Sequence, residues 1–153
     1  MENIKIIESP RDAMQGIAQF IPTENKARYI NALLKVGFHT IDFGSFVSPK
    51  AIPQLSDTAE VLKKLDLTGS NSKLLAIVAN MRGGEMACQF DEISYLGFPF
   101  SISPTFLRKN INSTIEDSRK MAEDLLNLTC RRKKELVVYI SMAFGNPYGD
   151  EWN

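Results

Sequence analysis

Two kinds of apolar pattern alternate along the chain. Short runs of four to seven apolar residues read as buried strands, and longer stretches with apolar residues every three or four positions read as amphipathic helices. Ile4 to Glu8 is the first strand, and the preceding Met1 to Asn3 reads as its lead-in. Pro10 ends it and a loop follows. Thr23 caps a helix that carries Ile30, Leu33 and Leu34 on one face and stops at Gly37. His39 to Phe43 is a second strand, followed by an irregular loop through Ser48-Pro49 and Pro53. Asp57, with Glu60 three residues on, opens a second helix bearing Val61, Leu62 and Leu65. After a polar turn from Thr68 to Ser72, Lys73 to Ala79 forms a third strand. Gly83-Gly84 leads into a short helix through Met86 and Ala87, and Ile93 to Phe100 is a fourth strand. Ser113 and Glu116 make a capping box for a long helix with Met121, Leu125 and Leu128 on its face. Glu135 to Met142 is a fifth strand, and Gly145 to Gly149 is a loop.

The order is strand then helix, four times over, with a fifth strand to finish. Runs such as Leu74 to Ala79 and Leu136 to Ile140 are apolar on both faces, as in parallel strands covered by helices. This predicts an α/β fold, either an open doubly wound sheet or part of a (β/α)8 TIM barrel. A whole barrel needs roughly 200–250 residues or more. The chain has 153, so a barrel reading means about four βα units plus a fifth parallel strand, in a single domain spanning 1–153.

Composition narrows the chemistry. Eighteen Lys and Arg balance eighteen Asp and Glu, which offers no field for nucleic acid or an anionic membrane. No segment approaches the ~18 consecutive apolar residues of a membrane span. The first residues lack a signal-peptide core, and the expected compartment is cytoplasmic with both thiols reduced. Two cysteines, Cys88 and Cys130, exclude a disulfide scaffold and a four-cysteine zinc site, and the single His39 excludes any intrachain site built on two imidazoles. No glycine-rich phosphate loop is present. The basic run Arg131 to Lys134 reads either as a phosphate patch or, with more weight, as cations at a helix C-terminus.

In parallel α/β proteins the chemistry sits where the strands end. Arg11, Asp12 and Gln15 follow the first strand, and Asp42 and Ser45 end the second. Asn80 and Arg82 follow the third, and Ser101 and Ser103 the fourth, with Arg108, Lys109 and Asn110 beyond. Ser141 and Asn146 follow the fifth. One sheet would gather these groups on one rim, with oxygen ligands of the kind that hard cations take. Arg11-Asp12 taken alone is equally a local ion pair in a turn. Asp42 stands in an apolar stretch and needs a partner, because burying a carboxylate unpaired costs several kcal/mol. A cation or Arg11 would serve, and capping the next loop is the competing role. His39 lies at the wrong end of its strand and reads as structural. Cys88 and Cys130 read as inert.

Several motifs resemble 3-hydroxy-3-methylglutaryl-CoA lyases. Pro10-Arg11-Asp12-Ala13-Met14-Gln15 is similar to that family's proline-arginine-aspartate-glycine-leucine-glutamine opening. Ser45 to Lys50 with Ile52-Pro53-Gln54 resembles its second-strand loop, the stretch that separates it from isopropylmalate and homocitrate synthases. Lys109 to Asn112 with Ile115-Glu116 resembles its fourth loop, and Tyr139-Ile140-Ser141 with Gly145-Asn146-Pro147-Tyr148 its fifth strand and loop. The matches run in family order from residue 4 to about 150.

The resemblance implies a metal-dependent barrel lyase that splits 3-hydroxy-3-methylglutaryl-CoA into acetoacetate and acetyl-CoA, in leucine breakdown and ketone-body formation. It implies Mg or Mn as cofactor, with Asp12 as the carboxylate ligand. Arg11 would bind substrate and stabilise the enolate on the acetyl thioester. Asp42 would be the catalytic carboxylate where the family has Glu, and Gln15 and Ser103 would contact substrate. It also implies an acyl-CoA partner and a homodimer for a full-length form. Ala13 and Met14 depart from the family's Gly-Leu. The family's histidine pair, last asparagine ligand and glycine-rich cysteine loop belong to its second half and have no counterpart here. The expectation is therefore an N-terminal half with weak metal binding and no turnover as 153 residues. The alternatives are a self-associating, non-catalytic half-barrel module and another acyl-CoA aldol-type lyase or synthase on the same barrel.

Overall fold

The computed structural model describes residues 4–151, so the predicted lead-in at Met1 to Asn3 lies outside the described residues. Five strands build one sheet: β1 (Ile7–Glu8), β2 (Thr40–Ser45), β3 (Lys73–Ile77), β4 (Ile93–Ser101) and β5 (Glu135–Ser141). Every neighbouring pair is parallel and the spatial order is β1-β2-β3-β4-β5. An open doubly wound sheet reverses its strand order at a switch point. Consecutive order throughout is instead that of an arc of a (β/α)8 barrel, so the partial-barrel expectation holds.

The helices between the strands are α1 (Pro10–Gln15), α2 (Thr23–Val36), α3 (Thr58–Leu62), α4 (Met81–Ala87), α5 (Pro104–Ile111) and α6 (Ile115–Arg131), with a 3-10 turn at Pro53–Leu55. Their apolar faces cover the outside of the arc. Leu74, Ala76, Val78, Leu96 and Phe98 from the strands join Ile30, Leu34, Leu125 and Leu128 from the helices in one buried cluster. The other face of the sheet carries Leu75, Ile77 and Tyr139, which crowd around Gly97. A Cβ there would lie 2.5 Å from Ile77 Cδ1, 2.9 Å from Leu75 Cδ2 and 3.0 Å from Tyr139 Cε2. Gly97 is the gap that lets these three side chains fill the concave face, where any larger residue would overpack it.

Five local expectations are corrected. The segment after Pro10 is not a loop but the helix α1, with proline at its first turn, where its missing N–H costs nothing. That also resolves the Ala13 and Met14 departures, because a helical backbone makes no demand for glycine, and Met14 is buried. A helix α5 occupies residues 104–111, opened by Ser103, whose hydroxyl accepts from Phe106 N at 3.1 Å. The α6 cap is one residue later than expected. Thr114 caps it by accepting from Asp117 N at 3.1 Å, while Ser113 pairs with Ser118. Finally, β5 is not covered on both faces, since Val138 is 40% and Ile140 52% exposed. Thr23 and Asp57 do begin helices, but their side chains bond each other, Thr23 Oγ1 donating to Asp57 Oδ2 at 2.7 Å, rather than capping.

Candidate active site at the strand ends

Parallel strands in consecutive order bring their C-terminal ends to one rim. At its β1–β2 end, α1 projects Arg11 toward the end of β2. Arg11 Nε donates to both carboxylate oxygens of Asp42 at 3.1 Å, and Nη2 donates to Oδ2 at 2.6 Å. Arg11 Nη1 donates to Asp12 Oδ1 at 3.0 Å and to Gln15 Oε1 at 2.9 Å, and Gln15 Nε2 donates to the same Asp12 oxygen at 2.9 Å. One guanidinium thus ties together the three polar residues of α1 and the carboxylate of β2. Planar, bidentate geometry of this kind is what guanidinium offers and ammonium does not.

The two carboxylates differ sharply in setting. Asp42 is fully buried, whereas the Asp12 side chain is 63% exposed. Burial raises the Asp42 pKa above the ordinary carboxylate value, and Arg11 opposes that shift. For Arg11, burial pulls the pKa down but the hydrogen bonds and charge of Asp42 outweigh it, so the net direction is up and the cation is kept. The strand itself aids the aim of Asp42. The β2–β3 register slips between Asp42 and Gly44, a bulge of the kind that redirects side chains beside functional sites. Gly44 then admits α3, because a Cβ there would lie 2.5 Å from Thr58 Cγ2.

Tyr139 is a site residue the sequence reading missed. Its hydroxyl is buried without a hydrogen-bond partner among the described residues. Burial, reinforced by the charge of Asp42, pushes its pKa up to about 12. It faces the concave side of the arc toward the Arg11–Asp42 pair. A lone tyrosine in an apolar strand gives no signal in a hydropathy pattern, and only its neighbours on the curled sheet reveal it.

Ser103 stands on the same rim, at the end of β4, but not with Arg11. Its hydroxyl donates to Asp150 Oδ2 at 2.7 Å, and Thr105 donates to the other oxygen at 3.0 Å. Several of the remaining rim residues are engaged by backbone groups. Ser45 Oγ bonds Ile77 O, Asn80 caps α4 through Gly83 N, Asn110 bonds Phe106 O, and Asn146 closes the 146–150 turn. Arg82 lines a cleft of about 340 Å³ with Ser48, Phe46 and Met86. His39 precedes β2 at the far end, with Nδ1 2.8 Å from Thr40 Oγ1. Cys88 is buried, and burial raises its thiol pKa, which disfavours the thiolate. Arg131 Nε bonds a carbonyl of its own helix, whereas Lys134 Nζ leaves the helix end and bonds Phe90 O and Ile93 O at the approach to β4.

The described residues do not by themselves fit a divalent cation. Asp12 is one exposed carboxylate, Asp42 is engaged by Arg11, and no three of His, Cys, Asp and Glu come together among the described residues. Six to eight oxygens are usual around such ions. No described helix is long and apolar enough to cross a membrane.

No family model matches the chain. It is 35% identical over 151 residues to the mitochondrial hydroxymethylglutaryl-CoA lyase of Mus musculus, covering 96% of this chain and 45% of that protein. A Bacillus subtilis HMG-CoA lyase structure superposes with a TM-score of 0.91 at 34% identity, over 98% of this chain and 50% of the other. An Acinetobacter baumannii HMG-CoA lyase, solved with coenzyme A and 3-methylmalate, gives a TM-score of 0.89 at 28% identity over 97% and 48%. The chain spans about half the length of the proteins it matches. Sequence and fold together relate this chain to the hydroxymethylglutaryl-CoA lyases, over about half of such a protein.

Proposed function

We propose that this chain carries the enolate-binding part of an acyl-CoA carbon–carbon lyase site, with 3-hydroxy-3-methylglutaryl-CoA as substrate. In that reaction the 3-hydroxyl loses its proton and the C2–C3 bond breaks. C3 becomes the ketone of acetoacetate, and the electron pair left on C2 becomes the enolate of acetyl-CoA, which is then protonated. The charge that develops on the thioester oxygen needs a fixed cation in a water-poor setting, where electrostatic stabilisation is strongest. The observation that carries this reading is Arg11 held bidentate on buried Asp42 at the strand ends. Asp42 orients the guanidinium and keeps it charged, so that little reorganisation is needed when the enolate forms. Gln15 and Asp12 hold its other edge, and Gln15 is the polar side chain beside it that would contact substrate, whereas the Ser103 hydroxyl is engaged by Asp150 and would have to leave it to do so. Asp12 contributes at most one carboxylate to a Mg or Mn ion. A cytoplasmic setting accords with two unpaired thiols.

The test is calorimetric titration with 3-hydroxy-3-methylglutaryl-CoA and with free CoA. The acylated ligand should bind more tightly, and Arg11→Met should abolish the difference. Equal binding by wild type and Arg11→Met would overturn the reading. Titration with Mn²⁺ alone should show no tight site and the chain should release no detectable acetoacetate, whereas tight one-site binding would contradict the single-ligand assignment.

A second reading, a module that pairs with a second copy, draws on the apolar residues exposed along β5 and beyond it: Val138, Ile140 and Phe144. Sedimentation velocity separates the two, a discrete folded dimer without acyl-CoA binding favouring the module.

A further inference from the structure

Helix α1 carries three of the four residues of the arginine cluster, yet it has only six residues. A helix that short is not stable alone, so something outside it must hold it in place. The segment that follows is poorly anchored by apolar contacts, for Ile17 is 47% and Phe20 48% exposed. One buried side chain supplies most of its polar ties to the rest of the fold. Gln54 donates through Nε2 to Ile17 O and to Gln19 O, each at 2.9 Å, and its Oε1 accepts from Ile21 N at 2.9 Å. Both amide hydrogens and the amide oxygen are therefore spent on one five-residue stretch. Beneath it, buried Lys26 donates to the backbone carbonyl of Gln54 and to Asp57 Oδ1 at 2.6 Å, and its Nζ stands 4.1 Å from the Phe20 ring centroid. The last link is local, Ile17 N donating to Met14 O at 3.0 Å, which joins the stapled stretch directly to the end of α1.

We propose that Gln54 is a positioning residue for the rim. It staples residues 17–21 to the Pro53–Leu55 turn, and through them fixes α1 so that Arg11 meets Asp42. It touches none of the cluster itself. The inference rests on the enolate-binding reading for its functional meaning, but its own test does not involve substrate. A merely structural hydrogen bond would cost stability and leave the cluster's geometry alone. A positioning one would loosen Arg11 while the sheet stays intact.

Nuclear magnetic resonance on the full chain separates these. In wild type the Arg11 Nε–H, bonded to Asp42, should exchange slowly with water. Gln54→Ala should speed that exchange at least tenfold and also expose the Ile21 amide, with the amides of β3 and β4 unchanged. Gln54→Glu should behave like Gln54→Ala, because it keeps one oxygen as acceptor for Ile21 N but sets the other against the Ile17 and Gln19 carbonyls. The control is Asn31→Ala, which breaks a comparable tie between α2 and the Lys64–Asp66 stretch. It should lower stability without moving the Arg11 signal. If Gln54→Ala leaves Arg11 Nε–H exchange at the wild-type rate, or if Asn31→Ala speeds it equally, the positioning role is wrong. Failure of acyl-CoA binding to respond to Arg11→Met would instead remove the functional reading and leave this result standing.

Discussion

The β2 strand, one in from the β1 edge of the sheet, and the β5 edge contrast. At β2 all six strand residues are buried, the one carboxylate among them is matched by Arg11, and a stapled loop holds the helix that supplies the arginine. At β5 the strand is an edge, its outer side chains Val138 and Ile140 face solvent, and Tyr139 on the inner face has a buried hydroxyl with no partner among the described residues. The first region is complete in itself: charges are paired and polar groups satisfied. The second presents the features of an interface, an open backbone edge with apolar side chains beside it. Paired and buried polar groups are thus concentrated where this chain finishes its own packing.

The largest expected effect separates the two regions directly. Asp42→Ala leaves a mostly buried guanidinium without its partner and should cost about 3–5 kcal/mol in urea unfolding. Ile140→Thr, at the open end, should stay within about 0.5 kcal/mol, as exposed substitutions do. Similar losses for the two would erase the distinction. Next is the concave face that joins the two regions. Gly97→Ala places a methyl against Ile77, Leu75 and Tyr139 and should cost about 1–3 kcal/mol, measured the same way. The smallest effect is spectroscopic. Of the four tyrosines, Tyr139 should ionise last, near 12, in an ultraviolet titration. Its raised value means that the neutral phenol's contribution to stability is complete below the ordinary tyrosine range near 10 and is lost as pH climbs through the folded value. Tyr139→Phe should delete that last step, and retention of it would place the high value elsewhere.

Much of this is legible in the chain. Strand–helix alternation with doubly apolar runs predicts parallel pairing, and the observed sheet has it, with the central runs covered by helices outside and curvature inside. What a one-dimensional pattern cannot see is the neighbour. Leu136 to Ile140 is as apolar as Leu74 to Val78, yet one run is an edge and the other lies between two strands. Helix α1 is hidden because Pro10 serves equally as a strand stop and as a helix's first residue. Helix α5 does carry a signal, Ser103-Pro104, a capping hydroxyl followed by a first-turn proline. Arg11, Asp12, Gln15 and Asp42 meet as their positions at the strand ends require, whereas Ser103 shares their rim without joining them, its hydroxyl turned to Asp150. Gln54 belongs to a motif singled out for its family likeness, and only the three bonds to residues 17–21 give that motif a physical task.

The central claim is that Arg11 and Asp42 act as one unit in holding the acyl group. A double-mutant cycle of Arg11→Met and Asp42→Asn, read as affinity for 3-hydroxy-3-methylglutaryl-CoA, tests it most directly. A joint unit predicts that the double variant binds little worse than either single one, a coupling of about 1–3 kcal/mol. Losses that simply add to within about 0.5 kcal/mol, or affinity untouched by all three variants, would contradict it.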